Sequence, residues 1–333
     1  MKVLYLIGNG FDRNLGLLTA YSQFYPVYLS EASPNNNVAK FKEFLVECQK
    51  KENPELWSNL ELLLGESSVI FDSASDYKKA IIDVNNSLRR YIEDQNSKGL
   101  ADKSAQTAFM QDVLDPLQYL MPREQKNFRS YLAQMDKSWD ISFVSFNYTD
   151  CLERLLGLSN GAQIGKNCSG GTSTLSRIYH IHGTCDKTIL VGLDNASQIK
   201  NPKFRTDASL LRCLVKPFAN AQNGEVVDDE CRILFQTADL VVGFGLSYGA
   251  TDSCWWKILS DILVYNSKRM IVFDHNEDST LDLVHNSFAI GDLKEIVGKR
   301  VLGANYESVR LSHILYSVNS NMFSGLRRFA GGE

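Results

Sequence analysis

The chain has 333 residues, 44% hydrophobic and 22% charged, which excludes collagen-like, low-complexity and wholly disordered classes. Lys plus Arg is 35 against 39 for Asp plus Glu, and a formal net charge of −4 disfavours a nucleic-acid binder. No apolar run approaches the ~20 residues of a membrane span, and the seven cysteines are widely spaced with no C-x-x-C, so a disulfide scaffold and a paired-cysteine zinc site are disfavoured.

The chain opens on KVLYLI (residues 2–7), a short apolar run closed by Gly8 that reads as a buried strand. The run is too short for a secretory signal and has no small-residue cleavage site, so a cytoplasmic protein is expected. Residues 12–29 read as helical or irregular. From Val38 to Lys137 apolar residues fall at helical spacing: Phe41, Phe44, Leu45 and Cys48, then Trp57, Leu60 and Leu64, then Tyr77, Ile81, Val84, Leu88 and Tyr91, then Phe109, Val113, Leu117 and Leu120. About 100 residues without a convincing strand predict a helical insertion over 38–137.

Strand signals resume with ISFVSF (141–146), followed by a predicted helix over 149–158 and a Gly-, Ser- and Thr-rich loop over 159–176. RIYHIH (177–182) predicts a strand, 189–191 a further short one, and 208–215 a helix capped by Asp207. ADLVVGF (238–244) is the clearest buried strand after the first. A helix over 252–265, a strand RMIVF (269–273) and an extended tail near 308–318 complete the pattern. Alternating strands and helices predict an α/β fold with a Rossmann-like, mostly parallel sheet. Its core comprises residues 1–37 and 138–333, interrupted by the insertion.

In such sheets ligands bind where loops leave the carboxyl ends of the strands. Five segments fall at such ends. GNGFD (Gly8, Asn9, Gly10, Phe11, Asp12) has glycines that let backbone amides approach a phosphate, although a ligand-free tight turn explains it equally well. Arg13 stands where a G-x-G-x-x-G fingerprint has its third glycine, which disfavours a hydride-transfer dehydrogenase. SFNYTD (145–150) gathers Ser145, Asn147, Thr149 and Asp150, suited to holding a water or a ribose hydroxyl or to capping a helix. HIHG (180–183) puts His180 and His182 on one strand face, because side chains alternate along a strand. With only three further histidines and no H-E-x-x-H, no metal site is expected, and His182 is the candidate general base. The turn after 244 supplies Gly243, Gly245 and Ser247, with Asp252 as a helix cap. The last strand ends at Asp274 and Asn276, placed to meet a ribose or to make a plain surface turn.

At these residues the chain resembles the AbiH family of bacterial abortive-infection proteins, through LIGNGFD, WSNLE (57–61), SFNYTDCLE, HIHG and VGFGLS. That family is in turn similar to sirtuin-type NAD-binding domains. Gly8, Gly10 and Gly16 match their first loop, and Asn147, Tyr148, Leu152 and Glu153 match their T-x-N-Y-D-x-L-L-E. His182 with Gly183 matches their base. The resemblance implies NAD as ligand or substrate, held by Gly8, Asn9, Gly10, Phe11, Asp12, Ser145, Thr149, Gly243, Gly245, Ser247 and Asp274. It implies cleavage of the nicotinamide–ribose bond by Asn147, His182 and Asp150, without a metal. The chain departs from the pattern at Asp12 in place of a small serine, at Leu18 in place of proline, and at Thr149, with Asp150 one residue late. The expected partners are NAD or a related nucleotide, a phage-derived trigger and a second copy of the chain, with no membrane or nucleic acid. The competing expectations are a nucleotide sensor without turnover and a metal-dependent nuclease.

Overall fold

The computed structural model describes residues 1–50, 59–98, 103–186, 189–223, 226–266, 268–275, 283–303, 305 and 313–329. Trp57, Asn276 and residues 308–312 of the expected tail therefore lie outside the described residues.

Among these residues the strands are β1 (Lys2–Ile7), β2 (Trp139–Ser145), β3 (Gln163–Lys166), β4 (Thr172–His180), β5 (Leu240–Phe244), β6 (Arg269–Asp274) and β7 (Ile314–Val318). They form one sheet in the order β3-β4-β2-β1-β5-β6-β7. All neighbours are parallel except β3 and β4. The fold is therefore α/β with a mostly parallel sheet, as the alternating signals predict. β1 is central because every residue after Lys2 is buried, which suits a strand covered on both faces.

The helices are α1 (Asn9–Asn14), α2 (Tyr21–Ser30), α3 (Asn36–Lys50), α4 (Leu60–Ser67), α5 (Ala74–Lys98), α6 (Lys103–Leu114), α7 (Pro122–Leu132), α8 (Cys151–Leu156), α9 (Ala208–Leu214), α10 (Lys216–Asn223), α11 (Val227–Thr237), α12 (Ser253–Tyr265) and α13 (Leu283–Val297). Alternation along β1 divides the core. Val3, Tyr5 and Ile7 pack with Phe109 and Val113 of α6, Phe128 of α7 and Leu152 of α8. Leu4 and Leu6 pack with Phe235 of α11, Trp256 and Leu259 of α12 and Leu293 of α13. A third cluster joins α2, α3, α4 and α5 to buried residues between Cys185 and Val215 and includes Tyr148, in the loop that follows β2.

Between β1 and β2 the described residues hold helices and no strand. The predicted periodicities reappear as buried faces: Phe41, Leu45 and Cys48 on α3, and Tyr77, Ile81, Val84 and Leu88 on α5. The expected loop over 159–176 differs, since β3 and the start of β4 form a hairpin there. Ser173 and Leu175 are buried, and Gly170 at φ +81° closes the turn by donating to the Asn167 carbonyl at 2.8 Å. Alternate burial within a polar, β-branched stretch outweighs its loop-like composition. The strand expected over 177–182 ends earlier, at His180, because Gly183 turns the chain at φ +73°. The segment 189–191 is not a strand. The tail does supply β7, parallel to β6.

Candidate functional site

The chain leaves β1, builds β2 and β4 on one side, then crosses back to build β5, β6 and β7 on the other. Strand order thus reverses at β1, and a crevice forms outside the carboxyl ends of the strands beside it. A cavity of about 820 Å³ lies there, lined by residues that follow β1, β2, β4, β5 and β6.

The two glycine turns interlock. Gly8 N–H donates to the Phe244 carbonyl at 2.9 Å, and Gly10 N–H to the Gly245 carbonyl at 3.0 Å. A Cβ on Gly10 would stand 2.5 Å from the Gly245 Cα, and Gly245 itself sits at φ +64°. Close approach of two backbones is therefore what requires glycine at Gly10 and Gly245. The amides of Gly8, Gly10 and Phe11 are spent on protein carbonyls, contrary to the expectation that Gly8 and Gly10 amides face a phosphate.

Beneath the first turn lies a buried polar cluster. Thr149 Oγ1 donates to Asp12 at 2.9 Å, and Asn147 Nδ2 donates to Asp12 Oδ1 and to the Gly8 carbonyl at 3.0 Å each. Burial pushes the Asp12 carboxyl up to about 7, even though these donors favour its charged form. With both amide hydrogens of Asn147 engaged, its Oδ1 is the atom left to accept a hydrogen bond from a ligand. His180 holds this loop from behind: Nδ1 donates to the Asn147 carbonyl at 2.8 Å and Nε2 meets Glu153 Oε1 at 2.8 Å. Burial pulls the His180 imidazole down, but Glu153 more than offsets it, so His180 titrates above an ordinary histidine.

His182 faces a different set of groups, so the two histidines do not share a site. Its Nε2 lies 2.9 Å from Asp252 Oδ1, and its Nδ1 lies 3.9 Å from Glu61 Oε1. Lys216 Nζ joins them, 2.9 Å from Asp252 Oδ1, 3.1 Å from Glu61 Oε1 and 3.1 Å from the Thr251 carbonyl. All four side chains are nearly or fully buried, and Phe146 packs edge-on against His182 with its other face on Trp256. Burial alone would lower the Lys216 ammonium, yet Asp252 and Glu61 hold it charged, well above the usual lysine range. Burial alone would raise Asp252, yet Lys216 and His182 hold it well below the usual carboxylate range.

A family model described as "Bacteriophage abortive infection AbiH" matches residues 4–274, most of the chain, from within β1 to the end of β6. The chain belongs to the AbiH family. No curated protein matches it. AbiH membership implies a role in bacteriophage abortive infection.

Within this AbiH chain the cavity collects Gly8, Asn9, Gly10, Asp12, Asn147, His182, Gly245, Ser247 and Asp274. Other expected residues stand behind it. Phe11 is in the core, edge-on to Phe109 and Phe323. Ser145 Oγ accepts from the Asn147 amide at 3.1 Å, Thr149 is committed to Asp12, and a Cβ on Gly243 would meet the Tyr248 hydroxyl at 2.8 Å. Asp150 does not line the cavity; it pairs with Arg154 Nε at 2.8 Å. Asp252 does not cap α12 with its side chain. Asp194 takes that position, accepting from the Cys254 amide at 3.1 Å and from Ser253 Oγ at 2.5 Å. This releases Asp252 for His182 and Lys216. Lys216 was not legible as a site residue, although it follows the apolar run CLV and precedes a proline. Among the described residues no helix is long and apolar enough to cross a membrane, and no group of three side chains is arranged to hold a metal ion.

Proposed function

We propose that this AbiH chain binds NAD or a related dinucleotide in the switch-point cavity and hydrolyses the nicotinamide–ribose bond. The observation that carries the proposal is convergence. Asn147 and the His182–Asp252 pair, separated in sequence and borne on different elements, line the same cavity. Its volume falls within the ~300–1,000 Å³ range of small-molecule sites. Arg13 and Arg300 stand among the lining residues, and Asp274 at the end of β6 is placed for a ribose hydroxyl. The Gly8 and Gly10 amides are internally spent, and the two guanidiniums, Arg300 with Nη1 donating to the Ser247 carbonyl at 2.9 Å, bring positive charge to the lining beside a pyrophosphate. The likeness to sirtuin-type domains is part of this proposal.

The chemistry follows from the partners. Cleavage of the C1′–N bond sends the electron pair to nicotinamide and leaves an oxocarbenium-like ribosyl group, as in glycoside cleavage. Water adds to C1′ and loses one proton. NAD and water thus give nicotinamide, ADP-ribose and a proton. Asp252 accepts from His182 Nε2–H, which leaves Nδ1 as the atom that takes the proton. Asn147 Oδ1 accepts from the attacking water or a ribose hydroxyl and orients it.

Incubation of purified protein with NAD tests this. Nicotinamide release is expected, and release no greater than from an Asn147→Ala, His182→Ala variant would remove the catalytic claim. A second reading, nucleotide binding without turnover, is favoured by Thr149 being tied to Asp12 and Asp150 being paired outside the cavity. Calorimetry showing saturable NAD binding with no product over hours would select it.

A further inference from the structure

Tyr148 follows β2, and Tyr21 opens α2. Their hydroxyls meet at 3.2 Å, and both residues line the cavity. The Cys185 amide donates to the Tyr148 carbonyl at 2.8 Å, which holds Tyr148 beside the turn that carries His182. The Tyr148 ring centroid lies 6.0 Å from that of His182. Each phenol has one hydrogen to donate and lone pairs to accept with. Whichever hydroxyl donates within the pair, the other keeps its own hydrogen. Among the described residues neither hydroxyl has a further hydrogen-bond partner. Burial raises both phenols above the ordinary tyrosine range, and the Glu61 carboxylate adds to it at Tyr148, so both stay protonated and able to donate.

Glu61 brings the complementary group. It lies in the first turn of α4, lines the same cavity, and has its Oε1 3.9 Å from His182 Nδ1. Lys216 Nζ takes one contact from each oxygen, Oε1 at 3.1 Å and Oε2 at 3.2 Å. A carboxylate has about four lone-pair sites, so Glu61 can still accept. Beside His182 the cavity thus presents an unspent hydroxyl hydrogen and an anionic acceptor. A primary carboxamide, with C=O next to NH2, satisfies both at once. A carboxylate in its place would satisfy the hydroxyl but meet Glu61 with like charge.

We propose that the Tyr21–Tyr148 pair and Glu61 form a subsite for the primary carboxamide of the departing base, a tyrosine hydroxyl donating to its carbonyl oxygen and the Glu61 carboxylate accepting from its NH2 group. This rests on the reading that a nicotinamide dinucleotide occupies the cavity with its scissile bond at His182. The subsite selects the amide form of the dinucleotide over the acid form.

Calorimetry on the purified chain in a His182→Asn background, chosen to stop turnover, reads the affinity for three dinucleotides. These are NAD, its acetylpyridine analogue, which keeps the carbonyl and lacks the NH2, and its nicotinic acid analogue, which carries a carboxylate. NAD is expected to bind tightest, with the acetylpyridine analogue about 10-fold weaker and the nicotinic acid analogue about 100-fold weaker. Tyr21→Phe together with Tyr148→Phe is expected to weaken NAD and the acetylpyridine analogue alike, by about 10-fold. Glu61→Gln is expected to bring the nicotinic acid analogue within about 10-fold of NAD. The three-ligand comparison on the parent decides should a tyrosine or Glu61 variant fold poorly. A nicotinic acid analogue that binds as tightly as NAD, or unchanged NAD affinity in the folded double Phe variant, overturns the proposal. If the wild-type protein nevertheless releases nicotinamide, the hydrolytic reading stands and only the subsite falls. If the preferences appear as stated and the wild-type protein releases no nicotinamide, the subsite stands and the hydrolytic reading falls. No binding of any of the three removes both.

Discussion

Replacing Lys216 by Met keeps the length of the side chain and removes its charge. Lys216 is 7% exposed, and its ammonium is the cation that stands between Glu61 and Asp252. Without it two buried carboxylates face each other across the cluster, and the Thr251 carbonyl loses its donor. Removing one partner of a buried pair costs about 3–5 kcal/mol, because the charge left behind is neither solvated nor paired. At roughly 2 cal/mol/K of unfolding entropy per residue, a chain of this length loses about 4–7 °C in melting temperature. Glu61→Gln in the same chain removes one of the two stranded charges, so the double variant is expected to recover about 1–3 kcal/mol of the loss. Differential scanning calorimetry of wild type, the two single variants and the double variant at neutral pH gives the coupling. A Lys216→Met shift below about 1 °C, or strictly additive single effects, would refute the cluster as an energetic unit.

Asp12 supplies a pH signature. Its folded value near 7 lies above the unfolded 3.8, so its contribution is full below about pH 3.8 and is lost as pH rises through 7. The loss amounts to about 4 kcal/mol, and urea midpoints of wild type relative to Asp12→Asn should fall between pH 4 and 8; a flat difference would contradict the burial argument. Gly10→Ala places a methyl 2.5 Å from the Gly245 Cα, so a destabilisation of about 1–3 kcal/mol is expected in denaturant titration. An unchanged midpoint would mean that the two turns do not interlock in solution. Asp194→Ala removes the acceptor for the Cys254 amide at the start of α12 and should cost about 1 kcal/mol. Its effect on stability should match that of Asp194→Ala measured in an Asp252→Asn background, since Asp252 does not share the cap.

The sheet was largely legible because its central strands are short apolar runs closed by glycine or a polar turn. KVLYLI, ISFVSF, ADLVVGF and RMIVF all appear as strands within a residue or two of their expected ends. The first hairpin partner, β3, was hidden because Gly, Ser and Thr report loop chemistry by composition and strand structure only by alternate burial. The strand-end motifs carried the cavity itself: Asn147, His182 and the two glycine turns are where alternation placed them. The roles within it were less legible. Two histidines two residues apart suggested one face, but Gly183 turns the chain and sends His180 to Glu153 and His182 to Asp252. Asp252 looked like a cap, because the residue that displaces it, Asp194, is distant in sequence. The Glu61–Lys216 pair joins residues 155 positions apart, a contact that no local pattern encodes.

Proton NMR of NAD mixed with a sub-stoichiometric amount of the purified protein tests the central claim most directly. The account predicts free nicotinamide and ADP-ribose appearing in equal amounts, beyond one equivalent of protein, and disappearing with His182→Asn. Intact NAD after prolonged incubation with folded protein, or product formation that persists unchanged in His182→Asn, would contradict it.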